Sequence, residues 1–207
     1  MSARPVRLTL ALVASLGIAG CALEAPVSAV PTSYDLGPVR AYARSNPAIA
    51  GVVLVSPVRA PAWLEDDAIA YRLNYEDAAR TQTYAMSRWA AEPAALITDR
   101  LRSRLAAVAR GVVSPAFAAR SDYTLRIELE DFSQHFGAPG DSRALLRARA
   151  TLLSSDRRVV LAQRVFDVER PAAPNAQGAV KALTEAADAF LEDVVKWTIE
   201  NAAKEAK

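Results

Sequence analysis

Tyr123, Leu125, Ile127 and Leu129 alternate with Thr124, Arg126, Glu128 and Glu130, and a second alternating row follows: Ala144, Leu146, Ala148, Ala150 and Leu152. Side chains along a strand point to opposite faces with a period of two, so each row is a strand with one apolar and one polar face. Gly137, Ala138, Pro139 and Gly140 between them have the composition of a loop tip, which makes the two rows a hairpin. If the hairpin folds about Ala138 and Pro139, paired positions sum to 277 (138 + 139). Leu125 then faces Leu152, Ile127 faces Ala150 and Leu129 faces Ala148, all inward. On the outer face Glu128 meets Arg149 and Glu130 meets Arg147. Opposite charges facing each other across strands satisfy one another. The stripe Arg143, Arg147 and Arg149 therefore reads as structural rather than as a headgroup site.

The alternation slips after Leu129. In the same register Phe132 moves to the outer face opposite Leu145, and Phe136 shares that parity. Either a β-bulge restores the inward direction, or Phe132, Phe136 and Leu145 form an exposed patch that contacts a partner.

A third run, Val159 to Val168, follows the turn at Ser154 to Arg157 and completes an antiparallel meander. Such a sheet needs a cover. Val180, Leu183, Ala187, Phe190, Val194 and Trp197 step by three and four, the seam of a long amphipathic helix. An earlier helix is predicted from Pro93, which suits a first helical turn, with Ile97, Leu101, Leu105 and Val108 on one face, Leu96 beside them, and Gly111 as its stop. Upstream, Tyr34 to Gly37, Val52 to Val55, Ala68 to Arg72 and Thr81 to Met86 read as strands, with a turn at Asn74 to Asp77. The order predicts an α+β fold: an antiparallel sheet of about five to seven strands with two α-helices packed on one face.

The N-terminus is a different kind of segment. Arg4 and Arg7 precede an uncharged run from Leu8 to Leu23, too short for the roughly 20 residues that span a bilayer. Residues 16–21 read Leu-Gly-Ile-Ala-Gly-Cys, and Cys21 is the single cysteine of the chain. A short positive region, a short apolar region and small residues before a cut describe a secretory signal peptide. Small residues followed by cysteine resemble the bacterial lipobox. That resemblance implies cleavage before Cys21 and a covalent diacylglyceryl and N-acyl lipid on it. The organisation expected is a cleaved signal over 1–20, a lipidated N-terminus and tether over 21–33, and one domain over 34–207. Removing residues 1–20 takes away two basic residues, leaving 23 (25 − 2) against 23 acidic ones. A neutral mature chain offers no electrostatic case for nucleic acid and no polybasic hold on a membrane, so the lipid must anchor it. One acyl chain holds only marginally, whereas two or more hold stably.

Catalytic chemistry finds little support. His135 is the single histidine, and Cys21 is taken by the lipid. No Gly-x-Ser-x-Gly elbow and no phosphate-cradling glycine loop is present. No spacing suggests a metal site, and the run Glu65, Asp66, Asp67 lacks the further oxygens that a calcium loop needs. No cofactor beyond the covalent lipid is expected.

Taken in order, the lipobox, Tyr34-Asp35-Leu36, Val52 to Val55, Ile69 to Arg72, Tyr84, Arg88 to Pro93, Tyr123-Thr124-Leu125 and the closing Asp193 to Trp197 resemble the auxiliary lipoprotein family of ABC-type transport systems, the PqiC-like components. The resemblance covers nearly all of the mature chain and rests on structural motifs. It implies a non-catalytic periplasmic subunit of an MCE-type (mammalian cell entry) system that assists lipid trafficking between the inner and outer membranes of Gram-negative bacteria. Its implied partner is the MCE-domain subunit, and ATP hydrolysis would lie in another chain. Ala22, which is not aspartate, favours the outer membrane by the sorting habit of such lipoproteins. A homo-oligomer is compatible with the chain and demonstrated by nothing in it. The alternative role is a structural or assembly lipoprotein that supports an outer-membrane protein complex. Trp89, Pro93 and Trp197 read as architectural, and Tyr71 and Arg72 as opposite faces of one strand.

Overall fold

The computed structural model describes residues 30–38, 47–117 and 119–205. Strands β1 (Thr32–Tyr34), β2 (Ile49–Val55), β3 (Ala68–Leu73), β4 (Gln82–Trp89), β5 (Ala109–Val113), β6 (Tyr123–Ala138), β7 (Asp141–Ser154) and β8 (Val159–Ala172) form one eight-stranded sheet. Helix α1 (Asn74–Asp77) follows β3, α2 (Pro93–Ala106) follows β4, and α3 (Ala176–Glu205) closes the chain. The fold is α+β, and the sheet curls as a half-barrel.

The hairpin appears as its sequence dictates. Leu125 pairs with Leu152, Ile127 with Ala150, Glu128 with Arg149 and Leu129 with Ala148. A bulge then inserts one residue, so Asp131 pairs with Arg147 and Phe132 with Leu146. From that point the pairs sum to 278 rather than 277, and Phe132 turns back into the core. Of the two readings of the slip, the bulge is the one this backbone adopts.

The expectation of an antiparallel sheet of about five to seven strands is corrected to a mixed sheet with eight strands among the described residues. One edge of β6 pairs antiparallel with β7 along its whole length. The other edge is shared: β2 runs parallel beside Tyr123–Leu125 and β3 runs parallel beside Gln134–Phe136. Between them the backbone of Arg59 bridges to Glu128. β1 and β5 also pair parallel, with β4 and β2. Parallel partners need long crossovers rather than tight turns, so nothing local in the sequence announces them.

Four smaller expectations change with it. Among the described residues three α-helices form rather than two, because the turn at Asn74 closes into a short α1. Helix α2 stops at Ala106, and Gly111 lies within β5 opposite Val52 instead of ending a helix. Residues 109–113 pair with β2 instead, which outweighs the helical spacing that Val108 continues. The first strand starts at Thr32, two residues before the expected domain start. β8 continues through Pro171 to Ala172, which a proline permits because β8 is an edge strand.

The core lies between the sheet and α2 and α3. Leu125, Ile127, Leu146, Leu152, Leu183, Phe190 and Val194 are fully or almost fully buried there, and Phe166 packs edge-on against Phe190 and Trp197 at 5.6 and 6.0 Å. Asn175 caps α3 by accepting the Gly178 N–H at 2.8 Å.

Candidate functional site

Cys21, the expected lipidation site, lies outside the described residues. The chain it would tether joins the domain at β1, where Tyr34 O accepts the Ala90 N–H at 2.6 Å. Two residues on, Leu36 is buried in the core, and Gly37 takes a positive φ of 74° that only glycine adopts without strain. The Gly37 carbonyl accepts from Arg100 of α2. Arg100 also reaches Asp188 of α3 at 3.2 Å, and Arg104, one helical turn along, pairs with the same carboxylate. Both guanidiniums are buried. Asp188 thus joins α2, α3 and the entry segment at one point.

The residues offered as a partner-contact patch separate. Phe132 is 1% exposed and packs on Trp89 with ring centroids 5.5 Å apart, and Phe136 is 8% exposed, against Tyr71 at 5.9 Å. Leu145 alone remains partly exposed. Tyr71 packs tilted against Tyr84 with ring centroids 4.8 Å apart, and the Tyr84 hydroxyl donates to Gln134 Oε1 at 2.6 Å. Burial, and secondarily Tyr71, pushes the Tyr84 hydroxyl up to about 12. Arg72, on the opposite face of β3 from Tyr71, lies 4.6 Å over the Trp63 ring.

The bulge also gathers a group that sequence reasoning passed over: Asp131, Ser133 and His135 at alternate positions of β6. A serine–histidine–aspartate relay needs serine on one ring nitrogen and the acid on the other. Here Nε2 faces both Ser133 Oγ at 3.1 Å and Asp131 Oδ2 at 3.2 Å, while Nδ1 faces Asn74 Nδ2 at 3.2 Å. With the Asn74 amide donating to Nδ1, the ring proton sits on Nε2 and is given to Asp131. Ser133 donates to Asp131 Oδ1 at 2.5 Å and is fully buried. The set is a closed polar lock that pins α1 to β6, with no nucleophile free to react. The alternate spacing 131, 133, 135 was the signal available. Among the described residues no three His, Cys, Asp or Glu side chains gather as a metal site.

On the outer face the predicted charge ladder forms: Arg149 to Glu130 at 2.8 Å and Glu128 at 3.8 Å, Arg147 to Glu130 at 3.3 Å and Asp167 at 3.6 Å, Arg143 to Glu169 at 3.0 Å. Among the described residues three clefts open around Arg59, where β2 has ended and β3 has not begun, and Glu128 of the ladder lines two of them. A model of the ABC-type transport auxiliary lipoprotein component family matches residues 34–195.

The chain belongs to that family.

The family match spans every element from the end of β1 to most of α3. A solved Xanthomonas campestris protein of the family DUF330 is 23% identical, with a TM-score of 0.74 over 84% of this chain and 98% of that one. A hypothetical protein from Chlamydia trachomatis is 9% identical, with a TM-score of 0.51 over 74% of this chain and 98% of that one. Both share the fold. No curated protein matches the sequence. As an ABC transport auxiliary lipoprotein the chain is expected at a membrane, and among its described residues no helix is long and apolar enough to cross one.

Proposed function

We propose that the chain is the lipid-anchored, non-catalytic periplasmic subunit of an MCE-type ABC transport system, assisting lipid trafficking between inner and outer membranes and envelope integrity. Family membership over residues 34–195 carries the reading. The lipobox-like residues 16–21 support anchoring through Cys21, and Ala22 supports the periplasmic face of the outer membrane. Eleven residue-to-residue steps (32 − 21), with ten residues between, take the chain from Cys21 to β1. At about 3.6 Å per residue they reach at most about 40 Å, so the domain works close to the membrane that holds its lipid. The closed lock at His135 supports a docking role over a catalytic one. The partner is the MCE-domain subunit, with ATP hydrolysis in a separate chain.

Cys21→Ser tests the anchor: fatty-acid labelling disappears, and the protein leaves the membrane fraction or keeps its signal peptide. A labelled, membrane-bound variant contradicts the anchor. Co-isolation tests the partner. The wild-type chain should bring down an MCE subunit with its permease and ATPase; recovering an outer-membrane assembly complex instead rejects the transport reading in favour of an assembly role.

A further inference from the structure

Every arginine that β7 presents on the outer face has an acidic partner, but two outward arginines beside it have none. Among the described residues neither Arg59 nor Arg126 has a side-chain hydrogen bond or ion pair, and both are exposed. They line one cleft of about 370 Å³ together with Ser56, Pro57, Pro115 and Glu128. Their backbones are fixed. Arg59 N–H donates to Ile127 O at 3.0 Å and Arg59 O accepts from Leu129 N–H at 2.7 Å, while Arg126 is held opposite Thr151. Arg59 pairs with Glu128 in the parallel sense, so both side chains leave the same face. Arg126, two residues before Glu128, shares that face. Glu128 reduces the lining to a net single positive charge, and its ion-pair partner is Arg149.

Guanidiniums present a planar fork of donors that fits the oxygens of a phosphate. Two of them, unpaired and converging from fixed backbones on one small cleft, form a site for a compact anion rather than a surface for a long chain. We propose that this cleft binds a phosphate ester, with Arg59 and Arg126 as its donors and Glu128 as a carboxylate that weakens the binding. The ester comes from a lipid headgroup or from a soluble metabolite. The site rests on these side chains and stands whether or not the chain serves lipid transport.

Isothermal titration of the full chain, purified from membranes in nonionic detergent, tests it. The titrants are glycerol phosphate, short-chain phosphatidylglycerol and, as a phosphate-free control, short-chain diacylglycerol. The phosphate-bearing titrants bind and diacylglycerol does not. Arg59→Ala and Arg126→Ala each weaken binding about tenfold, the scale of a lost hydrogen bond to a charged group, and the double variant abolishes it. Glu128→Gln tightens it, a gain that a merely structural role for these residues does not produce. Equal affinity for the two esters assigns a soluble ligand, and clearly tighter binding of the lipid assigns a headgroup. The proposal is overturned if neither ester binds, if the double variant binds as wild type, if Glu128→Gln leaves the affinity unchanged, or if a polyglutamate peptide binds where the esters do not.

Discussion

The two edges of β6 are built by opposite means. Toward β7 the strand meets a neighbour that follows it directly in sequence, pairs with it from Tyr123 to Ala138 and answers its outward acids with arginines. Away from β7 it meets three pieces in turn: β2, the bridging Arg59 and β3, all parallel and drawn from some seventy residues upstream. The first edge is closed, in backbone and in charge. The second is a composite, and it is there that clefts open and that Arg59 and Arg126 have no side-chain partner among the described residues. Local pairing supplies the rigid wall of this fold, and assembly from distant segments supplies its available surface.

The joint between the two regions is Asp188, because α2 packs on β2 and β5 while α3 packs on β6, β7 and β8. Asp188→Ala removes the carboxylate that Arg100 and Arg104 share. Breaking a buried pair of this kind costs about 3–5 kcal/mol, and chemical denaturation should show a loss of that size, with β2 and β5 loosened before the hairpin. Phe132→Ala, at the bulge, should cost about 3–5 kcal/mol as a large buried aromatic, whereas Leu145→Ala stays within about 1 kcal/mol of wild type. The reverse ranking would restore the unbulged register. On the composite edge Gly51 is held tight, since a Cβ there would lie 2.8 Å from the Tyr123 ring and 2.9 Å from Asp122 Oδ2. Gly51→Ala should therefore lose about 1–3 kcal/mol in the same assay, the range for forced overpacking.

The smallest effect is a dependence on pH. An unfolded tyrosine titrates near 10, and burial pushes the Tyr84 hydroxyl up to about 12. The folded state resists that ionisation, so its contribution is intact below pH about 10 and is lost as the pH rises towards about 12. Comparing denaturation midpoints across this window, wild type should fall more steeply than Tyr84→Phe. Parallel curves would show that Tyr84 ionises as freely in the fold as outside it.

How much was legible in the sequence follows the same division. The 277 register, the ladder from Glu128 to Arg149, the α3 seam and the α2 start at Pro93 all arise from neighbours in the chain, where period and turn chemistry suffice. The parallel partners of β2 and β3 do not, because a short apolar run bounded by turn residues says that it is a strand and not what it pairs with. β5 was absorbed into the α2 stripe, since Val108 continues the helical spacing. The bulge was visible as a slip after Leu129 whose direction only the packing of Phe132 on Trp89 decides. Asn74 and His135 meet across 61 positions, and Arg59 gains its meaning from Arg126, 67 positions away (126 − 59). The family, by contrast, was readable at once, since its motifs are written in local order.

Amide hydrogen exchange within β6 tests the division most directly, because successive residues of one strand point their N–H groups to opposite edges. Leu129 N–H serves Arg59 on the composite edge, and by alternation Thr124, Arg126 and Glu128 serve β7. The β7-facing amides should exchange only through global unfolding. Leu129 N–H, with Ser56 and Arg59 across from it, should exchange at least about tenfold faster through local opening. Equal protection of the two sets would contradict the account, since it would make the composite edge as firm as the hairpin.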